Sequence, residues 1–577
     1  MGDWFNISTN EGEDNAPPSA SAAAPPFFQY RSRRSPVVCR KGCVSSSQPL
    51  ASSIGLDLLR RGANAAETAI GVAAALTVLE PCSTGLGGDM FCLYYDASTK
   101  KVMCINGSGK SPKGLSLETL ENPSNFASSA HVVTVPGAAK GWEDLWIRHG
   151  TGQFDFAELV EPAALLAEEG FPVAPMTAHH WNKGMGLITQ WLPDDKEDQK
   201  TPMTVDGKHP PQAGEIMHNP DMARVLRDLG AHGAEHGFYK GETGKAIVEA
   251  VQRHGGKMTM EDLEDHTSAF PKPICATYRN QVKLWQVPPN GQGIAALVAL
   301  KGLDHLESKG LCPRISPATI TSADTLHVEM EMMRLGFQDA RDHVACPDQM
   351  KVSNEWLLSS ERIGKRVEEV FDPAKAQVQG QPLPSSCTVS FQVVDTQGNA
   401  ISFVNSNFMG FGSGIVPDKC GFTLQNRGFG FSLDPHHPNA LAGGKRPYHT
   451  IIPGMLTHAD TDELYATLTN MGGNMQPQGH LQLTVDLVAG ELDPQTAVDM
   501  PRFCIADGQR DGLVCLEDGI DDSTLEELKK RGHQMKSGLS GVDRSLFGRA
   551  QIIKRDRKTG VLWAGSDGRA DGCAMGF

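Results

Sequence analysis

The sequence lacks an excess of positive charge. Its 577 residues include 53 lysines and arginines against 68 aspartates and glutamates, a formal net charge of −15 at pH 7. A protein that binds nucleic acid or an anionic membrane usually presents the opposite balance, because it neutralises phosphates. The charge therefore argues against both kinds of partner.

Long apolar runs are missing as well. The longest is AIGVAAALTVL, residues 69–79, which is too short to span a bilayer. The N-terminal segment has neither the basic start nor the apolar stretch of a secretory signal. Because Pro, Ala and Ser dominate it, we expect residues 1–30 to form a disordered leader.

Cysteine pairs at metal-binding spacing are absent. The 13 cysteines are odd in number and include no two CxxC pairs, which indicates neither a zinc knuckle nor a complete disulfide framework. We interpret this usage as that of a reduced, intracellular protein and expect a cytoplasmic location. The adjacent His436 and His437 have no third ligand at useful spacing, so we predict no metal and no other cofactor.

Two common catalytic motifs are also missing. The chain contains no GxSxG elbow of the α/β-hydrolase type. The stretch STGLGGD, residues 83–89, lacks the Lys-Ser/Thr of a phosphate-binding loop and precedes a strand pattern. We interpret it as a close-packed turn and not as a nucleotide site.

What the sequence does contain is an ordered succession of helical and strand patterns. Apolar residues at three- and four-residue steps predict two helices over 47–81, the first closed by Gly62 and the second capped by Asn64. The same pattern predicts helices through most of 132–370. Strand hairpins are predicted within 83–108, where a glycine-rich turn precedes the first strand, and at the C-terminus. Strands from both ends of the chain with helices between them favour an α/β layered sandwich in one large domain.

The segment PLPSSCTVSFQVVDTQGNAISFVNSN, residues 382–407, predicts a hairpin that follows a polar linker over 375–386. Polar residues alternate with apolar ones from Thr388 onward, so the two kinds lie on opposite faces of the strand. Counting back from the TQGN turn places Val389 opposite Ser406 and Thr388 opposite Asn407, to within one residue of register. The hairpin therefore brings Thr388 close to Ser406 and Asn407.

Thr388 lies where a loop becomes a strand, on a face with polar groups that a core strand would avoid. If the chain is cut before Thr388, this residue gains an α-amine with an ordinary pKa near ~8, which can act as the base for its own hydroxyl. The precursor can make this cut itself, by attack of the hydroxyl on the preceding carbonyl. Cys387 is the alternative nucleophile if the cut falls one residue earlier, although the strand register favours Thr388.

Five sequence blocks, taken in order, resemble the γ-glutamyltransferase (glutathione hydrolase) family of N-terminal-nucleophile hydrolases. They are RRGANAAETAIGVAAALTVLEPCSTGLGGDMF, VTVPGAAKGW, TVSFQVVDTQGNAISFVNSNFMGFGSGIV, GKRPYHTIIPGM and TNMGGNMQPQGHLQ. The resemblance extends from about residue 31 to residue 577. It implies a four-layer αββα sandwich and self-cleavage of one precursor. It also implies a heterodimer of a helix-rich large subunit, 31–387, and a strand-rich small catalytic subunit, 388–577.

The resemblance implies roles for single residues. Thr388 matches the nucleophile, with cleavage between Cys387 and Thr388, and Ser406 matches a hydroxyl residue across the hairpin. Gly472 and Gly473 match paired glycines whose backbone N–H groups form the oxyanion hole. Glycine suits that place, because only a residue without Cβ lets two amides approach a tetrahedral intermediate so closely.

The chain departs from the family where the γ-glutamyl group is held. Ser108 stands at about the place of an arginine that binds the substrate α-carboxylate, with Lys110 two residues on. Gly430 stands where an acid binds the substrate amine, and His449-Thr450 replace a Ser-Ser pair. The lid segment is short. These departures are similar to those of the lidless, glutathione-hydrolase-like branch and its small-amide hydrolase relatives.

Other side chains are expected to replace the missing clamp. The candidates for substrate binding are Asn407, His449, Thr450 and the cations Lys110, Arg427, Lys445 and Arg446. A cationic pocket suits a carboxylate-bearing substrate, whereas Lys445 and Arg446 in a structural salt bridge are the alternative. For His449 we favour a packed, hydrogen-bonded role over proton donation, since the free amine already serves as base.

The sequence thus predicts a self-processing amidase that hydrolyses γ-glutamyl groups of glutathione or its conjugates, with transfer as the lesser outcome. The alternatives are a hydrolase or acylase for other small carboxylate-bearing amides, such as oxamate, and a non-catalytic binding protein that keeps the fold. The expected partners are a small-molecule amide and the two subunits of the precursor, with homo-oligomerisation left open.

Overall fold

The computed structural model describes residues 34–120, 122–192, 201–207, 209–377, 380, 382, 388–506 and 512–577. The predicted leader, residues 1–30, and Cys387 lie outside these residues, as does most of the predicted linker over 375–386. Among the described helices, none is both long enough and apolar enough to cross a bilayer.

Most described strands belong to two antiparallel sheets. The strands are β1 (Val37–Cys39), β2 (Cys43–Ser46), β3 (Asp89–Asp96), β4 (Lys101–Asn106), β5 (Phe171–Pro172), β6 (Ile216–Met217), β7 (Ile274–Tyr278), β8 (Val282–Gln286), β9 (Val389–Val394), β10 (Ala400–Ser406), β11 (Gly454–His458), β12 (Leu464–Met471), β13 (Phe503–Ile505), β14 (Val514–Glu517), β15 (Met535–Leu539), β16 (Arg549–Arg555), β17 (Leu562–Ser566) and β18 (Cys573–Gly576). Sheet I has the order β18-β2-β9-β10-β3-β4, and sheet II has the order β1-β17-β16-β12-β11-β8-β7.

Helices cover the outer faces of both sheets. They are α1 (Pro49–Arg60), α2 (Ala65–Leu79), α3 (Ala138–His149), α4 (Phe156–Glu169), α5 (Pro175–Thr189), α6 (Pro220–Ala234), α7 (Glu242–Arg253), α8 (Met260–Glu264), α9 (Gly293–Lys309), α10 (Ala323–His343), α11 (Asn354–Leu357), α12 (Ser360–Val370), α13 (Met475–Val488), α14 (Pro494–Asp499) and α15 (Asp522–Lys530). Helices α1, α2 and α3 contact sheet I, helices α9, α13 and α14 contact sheet II, and the two sheets contact each other. The predicted αββα sandwich is confirmed.

The N-terminal helical pair forms as predicted. Gly62 follows α1 with a φ of 101°, a conformation that glycine adopts without strain. Asn64 caps α2: its side chain accepts a hydrogen bond from the Glu67 N–H at 2.9 Å, and the Glu67 carboxylate accepts one from the Asn64 N–H at 3.0 Å. This capping box fixes the start of a helix that is buried along its whole length.

One hairpin interrupts the region predicted to be mostly helical. Strands β7 and β8 pair across a tight turn in which Arg279 and Asn280 have φ values of 53° and 54°. Two successive left-handed residues form a turn whose twist matches that of the strands, and asparagine tolerates this conformation well. The sequence-based prediction missed this hairpin. Its signal is the Arg279-Asn280 pair, which lies between two segments that contain β-branched and aromatic residues.

The two faces of β9 meet different surroundings. Val389, Phe391 and Val393 join the apolar cluster under α1 and α2. On the opposite face, Ser390 lies 2.8 Å from the Thr469 hydroxyl of sheet II, and Gln392 donates a hydrogen bond to the same hydroxyl at 2.8 Å. The space between the sheets is therefore partly polar, and Thr388 lies at its edge.

Candidate active site

Thr388 is fully buried immediately before β9. Val389 pairs with Asn405, which places Thr388 opposite Ser406. This register differs by one residue from the central prediction and lies within the predicted margin. The Thr388 hydroxyl donates a hydrogen bond to the Ser406 hydroxyl at 3.2 Å, so the two predicted hydroxyl residues do meet.

Ser406 ends β10 and collects hydrogen bonds from three directions. Besides that of Thr388, its hydroxyl oxygen accepts hydrogen bonds from the Phe408 N–H at 2.9 Å and from Arg427 Nη2 at 3.2 Å. Phe408 has a φ of 80°, so the chain turns sharply after β10 and directs this N–H back to the serine. The serine is thereby held in one orientation beside Thr388.

Arg427 is a fully buried cation next to the two hydroxyls. Its Nη1 donates a hydrogen bond to the Thr450 hydroxyl at 2.7 Å, and its guanidinium lies 4.7 Å from the ring centroid of Phe408. Its Nε has no hydrogen-bond partner within the described residues. Burial lowers the pKa of Arg427 to about 9, and the charge of Asp89 opposes that shift. The side chain is therefore still cationic at neutral pH.

His449 and Asp89 form a buried pair behind Arg427. His449 Nε2 donates a hydrogen bond to Asp89 Oδ2 at 3.0 Å, and Nδ1 accepts one from the Ile451 N–H at 3.3 Å. Burial lowers the pKa of His449 to about 4, with a further contribution from the charge of Arg427. The neutral ring, which also stacks on Phe91, uses both nitrogens inside the protein and fits the packed role favoured from sequence.

Gly472 and Gly473 lie between β12 and α13 with φ values of 125° and 57°. Both values fall in the region that side chains avoid. The glycine carbonyls accept hydrogen bonds from the N–H groups of Met475 and Gln476, and the Gln476 side chain donates to the Thr388 hydroxyl at 3.4 Å. Gln476, the α13 residue whose N–H bonds the Gly473 carbonyl, therefore links the glycine turn to Thr388 through its side chain.

Three of the four predicted pocket cations are used elsewhere or exposed. Lys445 donates to the carbonyls of Pro438 and Ala440 at 2.7 and 2.8 Å, and Arg446 donates to the carbonyls of Ser108 and Thr267 at 2.9 Å each. Lys110 is exposed. Of the four, Arg427 alone hydrogen-bonds a described neighbour of Thr388, Ser406, and within the described residues neither Lys445 nor Arg446 forms an ion pair.

Asn407, the remaining candidate, and Ser108, which stands at the place of the family's arginine, are both buried. Asn407 is fully buried, its Nδ2 donates to the Thr423 hydroxyl at 3.4 Å, and its Oδ1 has no hydrogen-bond partner within the described residues. Ser108 is also fully buried and accepts a hydrogen bond from Asn290 Nδ2 at 3.0 Å.

An ion pair that sequence reasoning missed holds the backbone of Thr388. Arg549 Nη2 donates a hydrogen bond to the Thr388 carbonyl at 3.4 Å, and Nη1 lies 3.3 Å from Glu80 Oε2. Glu80 also accepts hydrogen bonds from Ser47 and Gln48. Both charged side chains are buried. Because Glu80 and Arg549 are far apart in the sequence, no local pattern predicts that they pair.

A cavity of about 260 Å³ lies next to Arg427. Its described lining is largely aromatic and includes no acidic side chain: Arg341, Phe408, Phe429, Gly430, Phe431, Ser432, His437, Asn439, Tyr448 and Thr450. Phe408 and Thr450 both contact Arg427. A Cβ added to Gly430 would lie 2.7 Å from the Tyr448 carbonyl oxygen, so an acid at this position would require the backbone to shift.

Both ring nitrogens of His437, one of the two adjacent histidines, have partners inside the protein. His437 Nε2 lies 2.9 Å from the Arg341 carbonyl, and Nδ1 accepts a hydrogen bond from the Asn439 N–H at 3.0 Å. Side chains able to hold a metal converge elsewhere among the described residues, at His327, Glu331 and His533.

Comparisons with known proteins agree with the fold and the motifs. Residues 51–577 match the Gamma-glutamyltranspeptidase family model. The chain is 32% identical to the glutathione hydrolase-like YwrD proenzyme of Bacillus subtilis (strain 168), over 94% of this chain and 99% of that protein. It is 30% identical to an oxamate amidohydrolase proenzyme of Klebsiella pneumoniae, over 94% and 99% of the two chains.

The solved structure of a cephalosporin acylase from Bacillus halodurans is also similar. The two share 37% identity with a TM-score of 0.86, over 96% of this chain and 99% of that one. Family match, relatives and fold together show that this chain belongs to the gamma-glutamyltranspeptidase family of N-terminal-nucleophile hydrolases, as a glutathione hydrolase-like enzyme.

Proposed function

We propose that this enzyme is a self-cleaving amide hydrolase for small, carboxylate-bearing acyl groups. The cut falls between Cys387 and Thr388 and yields a large subunit, 31–387, and a small catalytic subunit, 388–577. The relatives in Bacillus subtilis and Klebsiella pneumoniae are both named proenzymes, which supports a precursor form. The observation that carries the proposal is the contact of Thr388 with Ser406 at the start of a buried strand.

The chemistry follows from the groups around Thr388. The free α-amine takes the proton of the Thr388 hydroxyl as its oxygen attacks the amide carbonyl. Ser406 orients the hydroxyl, and the N–H groups of Gly472 and Gly473 stabilise the negative charge on the carbonyl oxygen. The ammonium then protonates the leaving amine, and an ester with Thr388 remains. Water, activated by the same amine, hydrolyses that ester and releases the acid.

Arg427 provides the charge for binding a carboxylate. It is buried, cationic at neutral pH, and has an Nε without a hydrogen-bond partner. A guanidinium in a region of low dielectric binds a carboxylate far more strongly than one in water. The first candidate acyl group is therefore γ-glutamyl, from glutathione or its conjugates.

The cavity favours a second candidate, an acyl group without an α-amino group. No acidic side chain is among its described lining residues, and Gly430 leaves no room for one. An ammonium group placed there would lose its hydration without gaining a partner. The oxamate amidohydrolase and cephalosporin acylase relatives support this class of small-amide substrates.

A denaturing gel with intact-mass analysis tests the cleavage. We expect two fragments, the smaller of which begins at Thr388, and a single chain for Thr388→Ala. Thr496→Ala is the matched control, because this α14 hydroxyl bonds Asp493, the residue that caps the helix, and its loss should leave cleavage intact. A single uncut wild-type chain would contradict the proposal, and a new terminus at Cys387 would move the nucleophile by one residue.

A matched pair of substrates then selects the acyl group. γ-Glutamyl-p-nitroanilide and glutaryl-p-nitroanilide differ only in the α-amino group. A higher kcat/KM for the γ-glutamyl compound supports the first candidate, whereas equal or faster hydrolysis of the glutaryl compound supports the second. Hydrolysis of neither by the cleaved protein would contradict the proposed class of carboxylate-bearing acyl groups.

A further inference from the structure

Three side chains that can bind a metal ion lie close together in space, although all three are distant from Thr388 in the sequence. His327 and Glu331 are four residues apart on α10 and so share one face of that helix. His533 follows α15. All three are buried, with exposed fractions of 1%, 4% and 4%, and one ligand atom of each lies within 4.8 Å of the other two.

Backbone groups orient the two side chains on α10. His327 Nε2 lies 2.9 Å from the Asp372 carbonyl, and Glu331 Oε2 accepts a hydrogen bond from the Gln377 N–H at 3.0 Å. A carbonyl can only accept, so the proton of the neutral His327 ring is on Nε2 and the lone pair is on Nδ1. Ligand histidines in metal sites are commonly fixed in this way, by donation of the other ring N–H to a backbone carbonyl.

The three side chains, called the trio below, leave some of their polar atoms without a hydrogen-bond partner among the described residues. His327 Nδ1 lies 2.8 Å from His533 Nε2. Glu331 Oε1 and His533 Nδ1 are buried without a hydrogen-bond partner within the described residues. Arg334 Nε forms a buried ion pair with Glu331 Oε1 at 3.7 Å, a separation that is beyond hydrogen-bond distance. Buried polar atoms without hydrogen-bond partners are costly, and the carboxylate oxygen among them, Glu331 Oε1, points to an absent ligand.

We propose that His327, Glu331 and His533 bind one divalent transition-metal ion of the zinc type. Two imidazole nitrogens and one carboxylate oxygen are ligands that zinc prefers over magnesium or calcium, and a water completes the tetrahedron. The ion takes the lone pair of His327 Nδ1 and that of His533 Nε2. The proton of His533 Nε2 moves to Nδ1 of the same ring, so the ring stays neutral.

The geometry requires a small adjustment. Zinc–nitrogen bonds of 2.0–2.1 Å in a tetrahedron separate two ligand nitrogens by about 3.3 Å. The two rings must therefore part by roughly 0.5 Å, a shift that His533 can make because it lies outside a helix. The charge of Arg334 weakens the affinity for a cation, which makes this site weaker than one without that arginine.

The site lies across the two subunits. His327 and Glu331 precede the proposed cut at Thr388, and His533 follows it. If the chain is cleaved as proposed, a bound ion joins the large and small subunits non-covalently. This consequence depends on the proposed function, whereas metal binding itself does not.

Metal analysis tests the site directly. Full-length protein is stripped with a chelator, equilibrated with Zn²⁺ or Co²⁺, freed of unbound ion, and analysed for metal by mass spectrometry. We expect one ion per chain, visible absorption from four-coordinate Co²⁺, and a rise in Tm with added Zn²⁺, because a ligand that binds only the folded state stabilises it. The Thr388→Ala chain should bind equally, which separates this proposal from the proposed cleavage.

Variants assign the ion to the trio. His533→Gln and Glu331→Gln should each lower the bound metal at least tenfold and abolish the Co²⁺ spectrum. His458→Gln is the control, since His458 lies on β11 outside the trio. Wild-type protein without stoichiometric metal, or full metal content in His533→Gln, would overturn the proposal. If a variant does not fold, the wild-type stoichiometry and Co²⁺ spectrum still decide it.

Discussion

The hydroxyl of Thr388 lies 3.2 Å from that of Ser406, at the facing ends of two paired strands. Ser406 in turn accepts hydrogen bonds from Arg427 and from the Phe408 N–H. The proposed nucleophile thus belongs to a hydrogen-bonded network that includes a buried cation.

Removal of the Ser406 hydroxyl should impair both activity and stability. Ser406→Ala leaves the Arg427 Nη2 and the Phe408 N–H without this acceptor, which costs about 1–3 kcal/mol of unfolding free energy. We expect slower self-cleavage and a kcat reduced roughly tenfold or more, because the nucleophile loses its orientation. Ser402→Ala is the control: Ser402 lies on the same strand as Ser406, and its hydroxyl bonds the Leu468 carbonyl of β12. Equal kcat values in the two variants would contradict the role of Ser406.

The pH dependence of substrate binding should report the charge of Arg427. Its pKa is lowered to about 9, so the side chain is cationic below that pH and loses its charge as pH rises through 9. We expect KM for a carboxylate-bearing anilide to rise above pH 9, with no such rise for acetyl-p-nitroanilide. Arg427→Met should raise KM at neutral pH and remove the break. A KM that stays constant to pH 10 would show that Arg427 does not hold the carboxylate.

The paired glycines should tolerate no side chain. Gly473 has a φ of 57°, and Gly473→Ala forces a Cβ into a conformation that costs about 1 kcal/mol or more. If its N–H stabilises the oxyanion, kcat should fall by roughly 10²–10³ when that group is displaced. Gly152→Ala is the matched control, because Gly152 also has a positive φ, of 77°, with open space around it. The Gly152→Ala variant should lose stability and keep its kcat. An equal loss of kcat in both variants would indicate a general folding defect and would contradict a role of Gly473 in the oxyanion hole.

The Glu80–Arg549 pair should couple stability to self-cleavage. Arg549→Met leaves the Glu80 carboxylate buried without its cation, and breaking such a pair typically costs about 3–5 kcal/mol. It also releases the Thr388 carbonyl, so we expect incomplete cleavage on a denaturing gel. Arg279→Met breaks another buried pair, with Glu307, and serves as control. A similar loss of Tm with complete cleavage is expected there, and complete cleavage in Arg549→Met would contradict the positioning role.

The hairpin around Thr388 was predictable because its determinants are local. Strand alternation and a glycine-containing turn define which residues share a face. The register differs by one residue because Asp395 through Asn399 form the loop and Val394 pairs with Ala400, whereas the sequence suggested a shorter turn. A single added loop residue shifts every cross-strand partner.

The surroundings of the nucleophile were less predictable. Lys445 and Arg446 are near the site in sequence, yet their side chains bond backbone carbonyls. Asp89 pairs with Ser406 through β3, but the sequence showed it only as the end of a glycine-rich turn. A side chain's partner depends on which distant segments fold beside it, and sequence proximity says little about that.

The sequence by itself determined the layered fold, the strand that begins at Thr388 and the nearness of Ser406, because these depend on periodicity, turns and motif order. Only the tertiary structure decided which cation is buried, that Arg549 holds the Thr388 carbonyl, and that a largely aromatic cavity lies beside the buried cation. Those features arise where the two sheets and their loops pack together, and burial there sets both the charge of each group and the partners within its reach.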